Sequence, residues 1–421
     1  MTSRLFHRSL KLCYMQFWEK LTNQQIKERV FKALGENVNY YEENIIGIPA
    51  SHLDSKVFYQ NASFLQDAPF ISTLIHNPNH IGCHTLGISE SFFKGTQQIE
   101  REVLELCAVD ILNGEPYKQD GYVASGGTEA NMQAIWVYRN YFMQEHGAAT
   151  EEIGILCSAD SHYSMVKAAN VLQVGYASVP VQEDTRQIDE AALHSTIKAL
   201  KDSGKKYFIV VANMMTTMFG SVDDLDIYVE ALEATGCEYR VHVDGAYGGF
   251  FYPFSEENNK LNFANPKVTS ITLDAHKMVQ APYGTGIFLI RKNLIQYTKT
   301  EEASYVEGED FTLTGSRSGA NAIAIWMILM TYGPYGWWEK IYILLRRTDW
   351  LCQQLTEAGV AFYRHTKSNI VTLQSQHVSP VLAKEFGLVP DNHHAPNWFK
   401  IVIMEHVTIE KLIPLIEKLK A

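Results

Sequence analysis

No two of the six cysteines form a C-x-x-C pair. Cys13, Cys83, Cys107, Cys157, Cys237 and Cys352 are scattered over 421 residues, so neither a disulfide framework nor a thiolate metal cluster is written in their spacing. They read as reduced, mostly buried thiols, as expected of a cytoplasmic protein. No apolar run approaches the roughly 20 residues that cross a bilayer. The longest, 322–330, suits a buried helix, and no membrane association is expected. Basic residues are not in excess: 36 Lys and Arg face 47 Asp and Glu, a net charge of −11. That argues against a nucleic-acid footprint. No repeat of solenoid period and no low-complexity linker is found, and Gly284-Thr285-Gly286 lacks the third glycine of a dinucleotide fingerprint. The basic start (Arg4, Arg8, Lys11) lacks the apolar core of a signal peptide and reads as an amphipathic leading helix.

What is present is an ordinary globular composition, 46% hydrophobic and 20% charged, in a chain long enough to bury a sizeable core. Apolar runs at 153–157, 207–212, 241–243, 268–273 and 286–290 alternate with amphipathic stretches. Runs rich in Val and Ile suit parallel strands buried on both faces, and alternation with helices predicts an α/β layered sheet. The run at 241–243 is the weakest strand, being short and interrupted by His242. Beyond about residue 320 the pattern changes to long helices, short strands at 360–363, 370–373 and 399–404, and a closing helix with Ile409, Leu412, Ile413, Ile416 and Leu419 on one face. The expected organisation is therefore an N-terminal segment over 1–60, a large α/β domain over 61–310 and a small α+β domain over 311–421.

Polar residues follow the buried runs: Asp160 and His162, then Asn213, Thr216 and Thr217, then Asp244, then Asp274, His276 and Lys277. In open α/β sheets, ligands bind beyond the carboxyl ends of the strands. Ser125-Gly126-Gly127-Thr128 precedes a helical pattern through Met132, Ile135, Tyr138 and Phe142. Glycines admit a ligand to the backbone, and the helix start favours an anion such as phosphate. Asp244 is followed by Gly245 and Ala246, which leave room for a flat ring. A carboxylate there needs a cationic or donor partner. Lys277 closes another apolar run, where burial would disfavour its ammonium form and make the amine a nucleophile. Each feature alone has a plainer reading: a capped turn, a loop carboxylate, a lysine reaching solvent. Together they meet the needs of pyridoxal phosphate, which requires a lysine for its aldehyde and an acid beside its pyridine nitrogen.

The motifs 125–131, 160–164, 242–254, 272–278 and 314–319 resemble, in order, those of the group II pyridoxal-phosphate decarboxylases of fold type I, most of all the bacterial histidine decarboxylase-like branch. The resemblance covers about residues 60 to 421. It implies the aspartate-aminotransferase-like fold and an obligate homodimer whose active sites use both chains. It implies α-decarboxylation of an L-amino acid to its amine, histidine-like or aromatic by branch, with aspartate and glutamate also open. Lys277 would hold the cofactor aldehyde, Asp244 would keep the ring nitrogen protonated, and Ala246 and His162 would lie against the two ring faces. Gly126, Gly127, Thr128 and His276 would bind the phosphate, with Gly315 and Ser316 reaching it from the other subunit and Arg317 supporting them. Thr217 would sit near the ring or the substrate carboxylate. Tyr305, in an acidic surface loop, or His162 would protonate the carbon that carbon dioxide leaves. A C–C lyase or aldehyde-forming enzyme is the alternative within this chemistry, and a catalytically silent binding protein the alternative outside it.

His76, His80, Cys83 and His84 imitate metal-ligand spacing. Pro78 and Gly82 oppose the helix that would make them converge, so no metal is expected. The resemblance implies instead that the segment is part of the substrate pocket, with His80 as a substrate contact.

Overall fold

Seven strands form the α/β layer: β1 (Gln119–Ala124), β2 (Ile153–Ser158), β3 (Gly175–Val179), β4 (Tyr207–Asn213), β5 (Glu238–Gly245), β6 (Val268–Asp274) and β7 (Gly286–Arg291). The computed structural model describes residues 16–37, 62–76, 80–82, 86, 90–300 and 309–420. It divides into two compact units, Met1–Ala148 with Asn262–Trp337, and Ala149–Leu261 with Trp338–Ala421.

In the first unit, β7 lies between β1 and β6 and is antiparallel to both. Gly286 faces Ala124 on one side and Asp274 on the other. β1 has no long apolar run, and Gly121 shows why: a Cβ there would lie 2.1 Å from the Phe288 carbonyl oxygen. Helix α1 (Asn23–Gly35) opens with a capping box in which the Thr22 hydroxyl accepts from the Gln25 N–H, and it buries Ile26, Val30, Ala33 and Leu34. Helix α2 (Lys94–Glu105) packs against β1, and α3 (Gly127–His146) packs against β6 and β7. The short strands His80–Gly82 and Arg317–Ser318 pair antiparallel.

In the second unit the order is β5-β4-β2-β3, all parallel. Parallel pairing brings the carboxyl ends to one edge, with Asn213 in register beside Asp244. β5 is longer than 241–243 predicts, running over Glu238–Gly245. His242 does not interrupt it, because the imidazole is fully buried and burial lowers its pKa to about 4, so it stays neutral. Helix α4 (Ser164–Leu172) follows β2. The small antiparallel sheet has β8 (Phe362–Tyr363), β9 (Ile370–Gln374), β10 (Val389–Pro390) and β11 (Trp398–Val402), in the order β8-β9-β11-β10. Helix α5 (Ile409–Lys420) buries Leu412, Leu415 and Ile416, while Ile413 is exposed, which corrects the predicted face by one residue. The stretch Gly319–Glu357 is two helices that meet at Gly333. No described helix is long and apolar enough to cross a membrane.

Candidate active site

In the first unit Gly127, flanked by Gly126 and Thr128, stands with His276 and Lys277 around a carboxylate that the sequence motifs leave without a role. Asp274 ends β6 and is nearly fully buried. Its Oδ2 accepts the Gly127 N–H at 3.1 Å, its Oδ1 lies 2.7 Å from His276 Nδ1, and Lys277 Nζ stands 3.8 Å from Oδ2. A carboxylate at the start of a helix is favourably placed against the helix dipole, so Asp274 locks the turn before α3 to the strand end that carries Lys277. The lysine side chain is 31% exposed in this chain, less buried than the end of an apolar run suggests. The His276 ring packs on Tyr283 with centroids 4.7 Å apart.

Two further acids hold the surrounding loops. Glu129, in the first turn of α3, accepts from the Ser125 N–H at 2.7 Å, the Tyr122 hydroxyl at 2.9 Å and the Thr314 hydroxyl at 3.1 Å. It thereby ties the segment before Gly315 to the glycine turn. Gly315 is left-handed at φ 73°, and its N–H donates to the Thr312 hydroxyl at 3.0 Å. Ser316 is exposed, and Arg317 is buried against Glu100. The glycine turn also depends on Gly286, where a Cβ would lie 2.5 Å from the Gly126 carbonyl carbon and 2.6 Å from its Cα. Gly286→Ala is therefore expected to cost about 1–3 kcal/mol of stability and to weaken pyridoxal phosphate binding. A denaturation curve and a titration of visible absorbance check both; two unchanged values would refute the close packing.

The second unit gathers His162, Asp244 and Ala246. Asp244 is 8% exposed, and its Oδ1 accepts the Ala246 N–H at 3.1 Å. His162 is half-buried; its Nδ1 accepts the Ser164 N–H at 3.2 Å and lies 2.9 Å from the Ser164 hydroxyl. An acceptor at Nδ1 requires the proton of the neutral ring at Nε2. Asp160 precedes this turn and forms a two-pronged ion pair with Arg186, 2.9 Å from Nε to Oδ2 and 2.5 Å from Nη2 to Oδ1. Behind it, burial pushes the Asp223 carboxyl up to about 7, against hydrogen bonds from Asn213.

Thr217 lies on an exposed turn, where its carbonyl accepts from Lys400 at 2.9 Å. Its neighbour Thr216 is the buried one, with its hydroxyl 2.7 Å from that of Ser221. His80 pairs through its backbone with Ser318, two residues beyond Ser316. Tyr305, Cys83 and His84 lie outside the described residues. Among the described residues no group of three or more His, Cys, Asp or Glu side chains could hold a metal ion.

The donors fit pyridoxal phosphate. A helix N-terminus of 20 residues, the Thr128 hydroxyl and the His276 imidazole suit its phosphate, and the Lys277 amine suits its aldehyde. The nearly buried Asp244 carboxylate suits a cationic ring nitrogen.

Comparison with known proteins agrees. The pyridoxal-dependent decarboxylase conserved domain is matched over residues 98–372. A tryptophan decarboxylase of Clostridium sporogenes is 51% identical over 407 residues, 96% of this chain and 98% of that protein. A histidine decarboxylase of Vibrio campbellii is 28% identical over 323 residues, 75% of this chain and 80% of its own length. Among solved structures, an L-methionine decarboxylase from Streptomyces sp.590 is 20% identical and superposes with a TM-score of 0.69 over 94% of this chain and 93% of that one. Such likeness carries the fold, that of the fold type I pyridoxal-phosphate enzymes. With the conserved domain spanning well over half its length and a decarboxylase half-identical across nearly all of it, the chain belongs to the pyridoxal-dependent decarboxylases and is a pyridoxal-phosphate amino acid decarboxylase.

Proposed function

We propose that this decarboxylase acts on L-tryptophan or a closely similar aromatic L-amino acid, releasing the amine and carbon dioxide. The observation that carries the reading is the 51% identity, over 96% of the chain, to a tryptophan decarboxylase. The histidine decarboxylase relative, at 28%, supports a histidine-like substrate less well.

Pyridoxal phosphate supplies, when bound, an aldehyde that captures the substrate amine and a ring that draws electrons from the α-carbon. The chain's residues do the rest. Lys277 would hold the aldehyde through its amine, the group that the substrate amine replaces. Gly126, Gly127, Thr128 and His276 bind the phosphate, with Gly315 and Ser316 contributing from the second copy of a homodimer. Asp244 holds a proton at the ring nitrogen, because a carboxylate in a poorly solvated setting favours the cationic form of its neighbour. His162, its proton placed at Nε2 by the Ser164 contacts at Nδ1, and Ala246 would hold the ring between them. Tyr305 returns a proton to the α-carbon after the carboxyl group leaves, which directs the reaction to an amine rather than an aldehyde. Thr217 and His80 are the residues we assign to substrate contact.

The test is a panel of the common L-amino acids incubated with the enzyme and pyridoxal phosphate, with amine, aldehyde and carbon dioxide measured. Tryptamine with equimolar carbon dioxide is the expected main outcome. A preference for aspartate or glutamate, or an aldehyde product, would refute the proposal.

A further inference from the structure

Behind the His162 turn lies a polar group that none of these roles uses. Asn213 ends β4 and is 3% exposed. Its backbone N–H and its side-chain amide both donate to Asp223 Oδ2, at 2.8 and 2.7 Å. The Asp223 N–H donates back to the Asn213 carbonyl at 3.0 Å. The same amide nitrogen lies 2.8 Å from the Ser161 hydroxyl and 3.1 Å from the Ser158 hydroxyl, and those two hydroxyls are 3.4 Å apart.

An amide with no acid partner could face the serines with either its oxygen or its nitrogen. Asp223 narrows that choice: its Oδ2 accepts both the Asn213 backbone N–H and the amide nitrogen, and so draws that nitrogen towards itself and the two serines. One amide hydrogen goes to Asp223, leaving the other for the serines. Burying an amide just after Phe208, Ile209, Val210, Val211 and Ala212 is costly unless it is satisfied. Its nitrogen is satisfied by Asp223 and by the two serines that lead to the turn. Ser161 immediately precedes His162, and Ser164, buried at the start of α4, holds the imidazole Nδ1 from the other side.

We propose that Asn213 is a positioning residue: held by Asp223, it clamps Ser161 and so sets the plane of the His162 ring. The clamp rests on the reading of His162 as the residue that lies on the cofactor ring. Hydrogen-bonded networks of this kind fix one geometry when every member is satisfied. A ring held within a few tenths of an ångström is what productive alignment of a reacting bond demands.

Ser161 is half-buried, so Ser161→Ala removes one hydroxyl without opening the core. In the holoenzyme it should lower kcat about tenfold with KM little changed, and weaken the visible circular dichroism of the bound cofactor. In the cofactor-free chain it should shift the His162 ring signals in histidine NMR spectra. Ser161→Thr, which keeps the hydroxyl, should restore all three, and Asn213→Ala should reproduce the Ser161→Ala effects. If Asn213→Ala does not fold, the Ser161 pair decides alone. Ser161→Ala with unchanged kcat, dichroism and His162 signals would overturn the clamp while leaving His162 in its role. Visible dichroism that survives His162→Ala would overturn that role, and the clamp with it.

Discussion

Lys277→Ala is expected to abolish amine release, with a loss on the order of 10⁴-fold or more. The visible absorbance that borohydride bleaches in the parent enzyme should disappear with it. The expectation separates two contributions of this residue. As a cation 3.8 Å from Asp274, it adds to local electrostatics, a function that any positive side chain could fill. As an amine, it is the group that can hold an aldehyde covalently, and that requires a nitrogen able to give up its proton. Lys277→Arg keeps the charge and removes the chemistry, since a guanidinium does not deprotonate in proteins. Both variants should therefore be equally inactive. Both should stay folded, because the side chain is 31% exposed and Asp274 keeps its contacts to Gly127 and His276. Turnover by either variant, or a bleachable band in either, would remove Lys277 from the reaction.

What the sequence made legible follows the range of the interactions involved. The strand ends were readable because burial on both faces writes a continuous apolar run, and the polar residue that stops the run marks the edge. β1 and β3 were not readable. β1 depends on a bare backbone at Gly121 beneath the Phe288 carbonyl. β3 is half-exposed along most of its length, so its residues carry no buried run. The predicted weakness of β5 had a local cause, His242, and a non-local answer: full burial keeps that imidazole neutral. Thr217, the residue expected near the cofactor, lies on an exposed turn, and its neighbour Thr216 is buried. Asp274 stood two residues from His276 in the motif. Its significance lies in Gly127, 147 residues earlier, and spacing cannot report such a partner. The same holds for Glu129 and Thr314, which are 185 residues apart.

The pair Glu100 and Arg317, 217 residues apart, carries the largest expected effect on stability. Glu100 is fully buried on α2, and the Arg317 side chain is only 6% exposed. The guanidinium donates to both carboxylate oxygens, with Nη2 3.2 Å from Oε2, and donates to the Val123 carbonyl at 3.1 Å. Glu100 Oε1 also accepts the Val123 N–H at 2.6 Å, and the guanidinium lies over the Tyr122 ring at 5.0 Å. One acid and one base thus pin α2, β1 and the segment just after Gly315 and Ser316. Glu100→Ala leaves an arginine charge buried without its counter-ion and should cost about 3–5 kcal/mol in chemical denaturation. Glu100→Leu should do much the same, and Arg317→Met should strand the carboxylate at a similar cost. The double variant Glu100→Leu with Arg317→Met buries no charge and loses chiefly the Val123 partners. It should be destabilised by clearly less than the sum of the two single changes, with a coupling of about 1–3 kcal/mol. Additive single effects, or a Glu100→Ala cost below about 1 kcal/mol, would mean that the pair behaves as a solvated surface bridge and that some other contact fixes the segment behind Ser316.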